Sequence, residues 1–299
     1  MKYSYRKSSK SYPELAIRMG QAGQGNILFH EEWFDQRGNK TAEIIYSTKG
    51  KPEQKNEFDY DEEGNLLRQK FHFLHEDLIE ESSWKYDQGK VISKSLSFGF
   101  GDDEAFDYIY DAEGNLKSIH KRDQGIPAEE FSYENGLLVK HIQYDEEGQA
   151  ISETKFSYDD QSRKTEEQHR DLLSGESNIT RFLYSEKPEP DYEIYTSNGK
   201  LKDKHVREYE GKQVIRTIHE TFLPDYEYLK TEFTYLPDGN QESSRLSDKD
   251  DQTLMETHSA YNEHGLIISE HRTETTPVYG QLSFTTHFEY AYHEQSIEA

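Results

Sequence analysis

The side chains that could support catalysis or bind a metal are numerous in this chain, but their spacing matches no known site. There is no cysteine, which excludes thiolate nucleophiles, thiolate metal ligands and disulfides. A nucleophilic serine in a strained Gly-x-Ser-x-Gly turn does not occur either. The 13 histidines are dispersed, and pairs such as His72 and His75 or His264 and His271 lack the His-Glu-x-x-His spacing of zinc enzymes. We therefore expect solvated histidines on strands and turns.

Carboxylates are the most abundant titratable groups, with 59 Asp and Glu residues. Residues 59–64 resemble the start of a calcium loop, but its twelfth position must be a bidentate Glu and is Lys70 here. A hydrolase could use two dispersed carboxylates, although with so many acids no particular pair is indicated. We predict no catalytic, metal-binding or cofactor-binding residue, and a protein that is not an enzyme.

The charge balance restricts the classes of partner. The chain has 299 residues, and 35 Lys and Arg oppose 59 acidic residues, giving a net charge of -24. Such a field repels phosphate backbones and anionic lipid surfaces, so we expect neither nucleic acid nor membrane as partner. It suits a basic protein partner, and it would also keep a repetitive β protein in solution.

The hydrophobic composition predicts a folded protein with a thin core. Only 32% of the residues are hydrophobic and the mean hydropathy is -1.07, close to the range of disordered chains. However, the chain contains 22 Tyr and 15 Phe, many at alternating positions, as in β-strands. This combination favours an extended or curled sheet.

The sequence shows no targeting or membrane segment. No stretch approaches the roughly 18 apolar residues of a membrane helix. Residues 1–7 are basic but are not followed by the apolar run of a signal peptide. We therefore expect a cytoplasmic protein, with export without a cleaved signal left open.

A turn motif recurs along the chain and indicates the elements that position these side chains. Residues 60–65 read Tyr-Asp-Glu-Glu-Gly-Asn, and close variants lie at 110–115 and 144–148. In this motif an aromatic residue ends a strand, acidic residues form the turn, and Gly takes the position with positive φ. Strand-ending aromatic residues fall at Phe34, Tyr60, Tyr86, Tyr110, Tyr133, Tyr158, Tyr184, Tyr209, Tyr235 and Tyr261. The intervals of 23 to 26 residues each hold two strands.

The repeat predicts an all-β fold made of antiparallel β-hairpins, with about 25–26 residues in each two-strand unit. Because twist accumulates over so many strands, we expect a curled or coiled open sheet, a solenoid or a partial barrel. Three segments follow: a basic N-terminal arm or cap over 1–26 with a short helix at 13–19, hairpin repeats over 27–276, and a terminal capping strand and tail over 277–299. The Pro pair at 188 and 190 lies within the repeats.

The Tyr-Asp-x-x-Gly-Asn-Leu pattern resembles the tyrosine–aspartate (YD) repeats of Rhs-type and wall-associated bacterial proteins, over residues 34 to 290. This resemblance implies a β-hairpin solenoid that forms a shell around a cargo or presents a binding surface. The Asp is replaced after Tyr133, Tyr195 and Tyr235, and the chain is much shorter than the encapsulating shells, with no toxin domain. An open trough, a short coiled sheet or a partial barrel is therefore expected.

These observations predict a non-enzymatic binding or scaffold protein. It would present a curved acidic β surface to a basic protein partner, as an immunity protein, a chaperone or a partial shell for an effector. The alternative is a carbohydrate-binding surface module, suggested by the many aromatic residues. Trp33 and Trp84 are the only tryptophans and could mark such a surface, although core anchoring is the better interpretation of both.

Overall fold

The computed structural model describes residues 3–99, 101 and 103–292, and it is built from antiparallel strands. The prediction of an all-β antiparallel protein is confirmed. One helix occurs in the described residues, α1 (Glu14–Arg18), which begins directly after Pro13 as the sequence predicts. None of the described helical residues forms a segment of the length and apolarity needed to cross a bilayer.

The chain divides into two compact units. Unit 1 comprises Met1–Asp103, Thr234–Ser244 and Leu254–Ala299, and unit 2 comprises Glu104–Phe233 and Arg245–Thr253. The first strands are β1 (Tyr3–Ser11), β2 (Ile27–Phe34), β3 (Lys40–Tyr46), β4 (Pro52–Tyr60), β5 (Leu66–Phe73), β6 (Leu78–Asp87) and β7 (Lys90–Ser97). They are followed by β8 (Glu104–Tyr110), β9 (Leu116–Lys121), β10 (Pro127–Glu134), β11 (Leu137–Tyr144), β12 (Ala150–Tyr158), β13 (Lys164–Asp171), β14 (Ser177–Leu183) and β15 (Asp191–Thr196). The remaining strands are β16 (Leu201–Glu210), β17 (Gln213–Thr221), β18 (Glu227–Tyr235), β19 (Gln241–Ser247), β20 (Thr253–Tyr261), β21 (Ile267–Thr276) and β22 (Gly280–Tyr292).

Consecutive strands pair as antiparallel hairpins within each unit. In unit 1, β2 to β7 pair in sequence, as do β20, β21 and β22. In unit 2 the same holds from β8 to β18. The segment expected to be an arm or cap contains β1, which lies between β2 and β22 and pairs with both. The expected capping strand corresponds to β22, and residues 293–299 of the tail lie outside the described residues.

The acidic turn motif is explained by hydrogen bonds within the turn. Asp61 Oδ1 accepts the backbone N–H of Asn65 at 2.7 Å, and Asp61 Oδ2 accepts the Asn65 side-chain amide at 2.8 Å. Gly64 has a φ of 90° and donates its N–H to the Asp61 carbonyl. Asp35 and Asp111 hold their turns in the same way. The first Asp of each of these motifs therefore has a structural role.

The motif tyrosine also has a structural role. A β-bulge shifts the register at Tyr86, Tyr158 and Tyr261. Each of these hydroxyls donates a hydrogen bond to the carbonyl of the residue twenty positions earlier, at 3.0, 2.8 and 2.8 Å. These hydrogen bonds tie the end of one strand to the start of the strand before it, which gives the recurring aromatic residue a structural role at these three positions.

The two faces of the strands differ in exposure, and little apolar surface is fully buried. In β4, Asn56 and Phe58 lie on a sheltered face, whereas Lys55 and Asp59 are exposed. Among the described residues, the only fully buried hydrophobic residue is Ala22, and the other buried residues are polar. The expectation of a thin core is therefore confirmed. Cross-strand pairs such as Asp59–Arg68, Lys140–Glu153 and Glu166–Arg181 add about 0.2–1 kcal/mol each.

Replacing Asp61 with asparagine is expected to destabilise the protein at pH 7 more than at pH 3. The Asn65 side-chain amide and the backbone N–H groups of the turn lower the pKa of the Asp61 carboxyl. A carboxyl with a lowered pKa stabilises the fold above its unfolded value of about 4, and this contribution is lost as the pH falls through the folded pKa. Urea denaturation of wild type and D61N at both pH values measures the difference. Glu62→Gln in the same turn controls for the loss of one charge, and a difference at pH 3 as large as that at pH 7 contradicts this account.

Candidate functional site

The histidines singled out by the sequence lie on strands and in turns, as expected. His72 is in β5, 3.2 Å from Asp77 Oδ1, and His75 is exposed in the following turn. His264 is exposed in the β20–β21 turn, and His271 Nδ1 lies 2.9 Å from Thr285 Oγ1 in β22. Neither pair belongs to the one cluster of three potential metal ligands found among the described residues.

The other sequence candidates also have structural explanations. Lys70, at the twelfth position of the calcium-loop pattern, is in β5 and lies opposite Glu57. The second half of that pattern is therefore a β-strand and not a loop. Trp33 packs against Tyr5, with ring centres 5.4 Å apart. The ring centre of Trp84 lies 5.6 Å from Lys94 Nζ. Both tryptophans are half-buried, in accord with the interpretation that they anchor the sheet.

A buried polar row, which no sequence motif marks, crosses four strands of unit 1. The strand register places Arg6 of β1 opposite Glu32 of β2, Glu32 opposite Glu43 of β3, and Glu43 opposite Asn56 of β4. Glu32, Glu43 and Asn56 are only 3%, 9% and 2% exposed. Because buried carboxylates must be paired, this row is the strongest candidate for a chemical site.

The two carboxylates of the row share the ammonium group of Lys40. Its Nζ lies 3.0 Å from Glu32 Oε1 and 2.7 Å from Glu43 Oε2. Arg6 Nε donates to Glu32 Oε2 at 2.5 Å. Asn56 Nδ2 donates to Glu43 Oε1 at 2.7 Å. Two cations therefore balance two carboxylates.

His30 completes the only cluster of potential metal ligands found among the described residues. Its Nε2 lies 2.9 Å from Glu43 Oε2 and its Nδ1 lies 3.7 Å from Glu32 Oε2. The ligand atoms of the three residues lie within 4.8 Å of one another. However, the Lys40 ammonium already bridges the two carboxylates, and a divalent cation would have to displace it. The donor set therefore fits an internal ion network better than a metal centre.

The proton equilibria of this network also favour a structural role. Burial alone would raise the pKa of Glu43, but hydrogen bonds from Lys40 and Asn56 outweigh it and the pKa is lowered. Burial alone would lower the pKa of Lys40, but its bonds to Glu43 and Glu32 raise it. A general acid or base should titrate near neutral pH. Both groups are shifted away from neutrality, so they are poor proton carriers.

A second polar cluster in unit 1 involves Glu31, which neighbours Glu32 in β2. The hydroxyls of Tyr5 and Tyr46 both donate to its carboxylate. Burial and this carboxylate raise the pKa of Tyr46 to about 12. The two phenols therefore stay protonated and act as hydrogen-bond donors.

Unit 2 contains a partly exposed ion-pair ladder. Glu232 Oε1 lies 3.0 Å from Arg216, and its Oε2 lies 3.4 Å from Arg245. Arg216 also pairs with Glu208 at 2.9 Å, and Lys230 pairs with Asp251 at 2.7 Å. These ion pairs connect β16, β17, β18 and β19. Because they are partly exposed to solvent, each contributes little to the stability of the fold.

An apolar pocket of about 290 Å³ lies beside α1 in unit 1. It is formed by three segments that are distant in sequence: the β1–α1 region, the β3–β4 turn and the start of β22. The residues that line it are Tyr12, Pro13, Leu15, Ala16, Met19, Gln21, Ala22, Thr48, Tyr279, Leu282 and Phe284. Met19 and Tyr279 are 51% and 54% exposed at its edge. Exposed apolar side chains around a concave surface are typical of binding sites.

The acidic residues that follow the first Asp of a turn, or Asn262 in the β20–β21 turn, form the second exposed feature. They do not hold the turn and point to solvent. We call them the turn-tip carboxylates: Glu62, Glu63 and Glu263 in unit 1, and Glu113, Glu146, Glu147 and Asp160 in unit 2. The net charge of -24 means that one-to-one pairing with every Lys and Arg would still leave 24 carboxylates unpaired. The turn tips hold part of this excess at the surface.

Comparison with known proteins does not assign a family. Neither protein-family models nor curated protein sequences give a match.

Solved structures give matches of low similarity. One is a chain of the crystal structure of TcdB2-TccC3-Cdc42, with 13% identity and a TM-score of 0.31 over 97% of this chain. The present chain spans 20% of that chain. Two others are porin-like proteins from Bacteroides uniformis and Bacteroides vulgatus, each with 9% identity and TM-scores of 0.33 and 0.27. They are matched over 96% and 98% of both chains, respectively. Similarity at this level carries no functional argument.

Proposed function

We propose that this chain is a non-enzymatic binding or scaffold protein whose acidic hairpin turns bind a basic protein partner. The observation that carries the proposal is the position of the turn-tip carboxylates. The first Asp of the motif is used by the turn, whereas the following acidic residues are exposed. Glu146 also lies 3.5 Å from Lys121 Nζ, and a cation of the partner would compete with this exposed pair. A partner rich in Lys and Arg would form charge-assisted contacts with them.

The buried chemistry of unit 1 supports the same proposal. The carboxylates Glu32 and Glu43 are already paired with Arg6 and Lys40. Their network holds four strands together, so a structural role accounts for the cluster of His30, Glu32 and Glu43 without a reaction. A role in binding therefore rests on the exposed surface of the repeats.

We also propose that the strands form a hairpin-repeat scaffold, in which each two-strand unit presents one acidic turn. The nearly constant spacing of the motif and its resemblance to YD repeats support this. In such a scaffold many weak contacts act together, and the combined affinity exceeds that of any one turn. The partner would be an effector or another basic protein, with this chain as its immunity protein, chaperone or partial shell.

The test compares capture of proteins by wild type and by a turn-tip variant. The variant neutralises the seven turn-tip carboxylates as E62Q, E63Q, E113Q, E146Q, E147Q, D160N and E263Q. A matched control keeps the charge, with Asp in place of each Glu and Glu in place of Asp160. Immobilised proteins are incubated with extract of the producing cells at about 50 mM salt, where surface charges are weakly screened.

The expected result is a specific basic protein retained by wild type and by the charge-preserving control but not by the neutralised variant. About 0.5 M salt should release it, because screening shortens the range of surface charges to a few ångströms. Retention of the same protein by the neutralised variant would show that the turn tips are not the binding surface. Failure of wild type to retain any specific protein also contradicts the proposal.

A further inference from the structure

Two aromatic rings that line the apolar pocket beside α1 also hold a lysine ammonium group. Lys10 Nζ lies 5.0 Å from the ring centre of Phe284, 5.6 Å from that of Tyr12 and 5.7 Å from that of Phe29. Tyr12 and Phe284 also line the pocket, and their rings meet edge to face at 6.5 Å. Aromatic faces attract ammonium groups, so Lys10 is kept next to the pocket wall.

Lys10 differs from the other two cations of β1, Arg6 and Lys7, which form ion pairs. Its neighbour Lys7 pairs with Glu289 at 3.2 Å. Over the described residues, no carboxylate lies within ion-pair distance of Lys10 Nζ. The described residues that line the pocket include no charged side chain, although 59 of the 299 residues are acidic. The pocket therefore combines apolar walls with a local positive charge.

We propose that this pocket binds a small amphipathic organic anion, such as a medium-chain carboxylate. Its apolar body would pack against Leu15 and Leu282, and its acid group would lie beside Lys10. The volume of about 290 Å³ is at the lower end of small-molecule sites, which span about 300–1,000 Å³. Burial raises the pKa of Tyr12, so its phenol carries no negative charge that would oppose the anion. This site is independent of the turn-tip carboxylates.

The test is isothermal titration calorimetry with two ligands, octanoate and 1-octanol, which is neutral and has a chain of equal length. Binding of 1-octanol reports the apolar walls, and the additional binding of octanoate reports the ammonium group of Lys10. Lys10→Gln should weaken octanoate binding about three- to tenfold and leave 1-octanol binding unchanged, as expected for the loss of one partly exposed ion pair. Lys7→Gln removes a charge from the same strand, away from the pocket, and should change neither. Octanoate should bind wild type more tightly than 1-octanol does.

Filling the pocket tests its location. Ala16→Phe should abolish the binding of both ligands, whereas Ile17→Phe places the same side chain on α1 at a position that does not line the pocket and should have little effect. Met19→Asp places a carboxylate at the exposed edge, and it should weaken octanoate more than 1-octanol even if Ala16→Phe does not fold. Equal binding of the two ligands by wild type, unchanged octanoate binding in K10Q or M19D, or no octanoate binding up to about 10 mM overturns the proposal.

Discussion

Replacing Lys40 with methionine is expected to lower the free energy of unfolding by about 3–5 kcal/mol, because two buried carboxylates lose the cation they share. Glu32 and Glu43 are 3% and 9% exposed, so water cannot replace the ammonium at low cost. Methionine keeps most of the length and packing of the lysine side chain, and the effect should therefore report the lost charge. Urea denaturation at pH 7 measures it.

Lys55→Met is the matched control for this prediction. Lys55 pairs with Glu57 at 2.7 Å, but both side chains are more than 40% exposed, so the change should be below about 1 kcal/mol. The pKa of Lys40 is raised, so its contribution is present below its unfolded pKa and is lost as the pH rises through the folded value. Because the pKa of Glu43 is lowered, the contribution of that carboxyl is lost at acid pH. Equal effects of K40M and K55M at neutral pH contradict the assigned network.

Replacing Asn56 with leucine is expected to destabilise the protein by about 1–3 kcal/mol, although leucine has the same branched shape. Asn56 is 2% exposed and connects two polar neighbours. It donates to Glu43 at 2.7 Å and accepts from the Gln54 side chain at 2.8 Å. Leucine removes both bonds and leaves the buried Glu43 carboxylate with one donor fewer.

The control is Gln54→Leu, which removes only the bond between the two amides. Gln54 is half-buried, and its freed partner is Asn56, which still binds Glu43. Q54L deprives the neutral Asn56 Oδ1 of this donor, whereas N56L takes a donor from a charged carboxylate, so we expect Q54L to cost about 1 kcal/mol and less than N56L. Denaturation midpoints of both variants at pH 7 give the comparison. If Q54L is as destabilising as N56L, the carboxylate contact is not what makes Asn56 important.

The hairpin fold could be predicted because its determinants are local. The turn bonds of Asp61 join residues four positions apart, and the Tyr86 bond to Leu66 spans one hairpin. Interactions of this range leave a repeated pattern in the sequence. The spacing of the aromatic residues therefore indicates both the strand type and the antiparallel order.

The pairing of β1 could not be predicted in this way. Lys7 of β1 lies opposite Glu289 of β22, a contact between the two ends of the chain, and no repeated motif marks either strand. The row from Arg6 to Asn56 likewise depends on bulges that shift the register between strands. A difference of one residue in any strand would turn these side chains to the other face.

The exposed candidate sites were predictable to different extents. The turn-tip carboxylates belong to the motif itself, so the sequence already indicates an acidic surface. The apolar pocket is assembled from residues as far apart as Leu15 and Phe284. Such a site depends on tertiary structure, and the sequence around either segment contains no signal for it.

The measurement that tests the central claim most directly is the affinity of the captured basic protein for wild type, the neutralised turn-tip variant and the charge-preserving control. Titration calorimetry at about 50 and 500 mM salt separates surface charge from other contributions. We predict a dissociation constant at least about tenfold higher for the neutralised variant at low salt, with little salt dependence left, and wild-type behaviour for the control. Equal affinities of all three proteins at both salt concentrations would contradict the account.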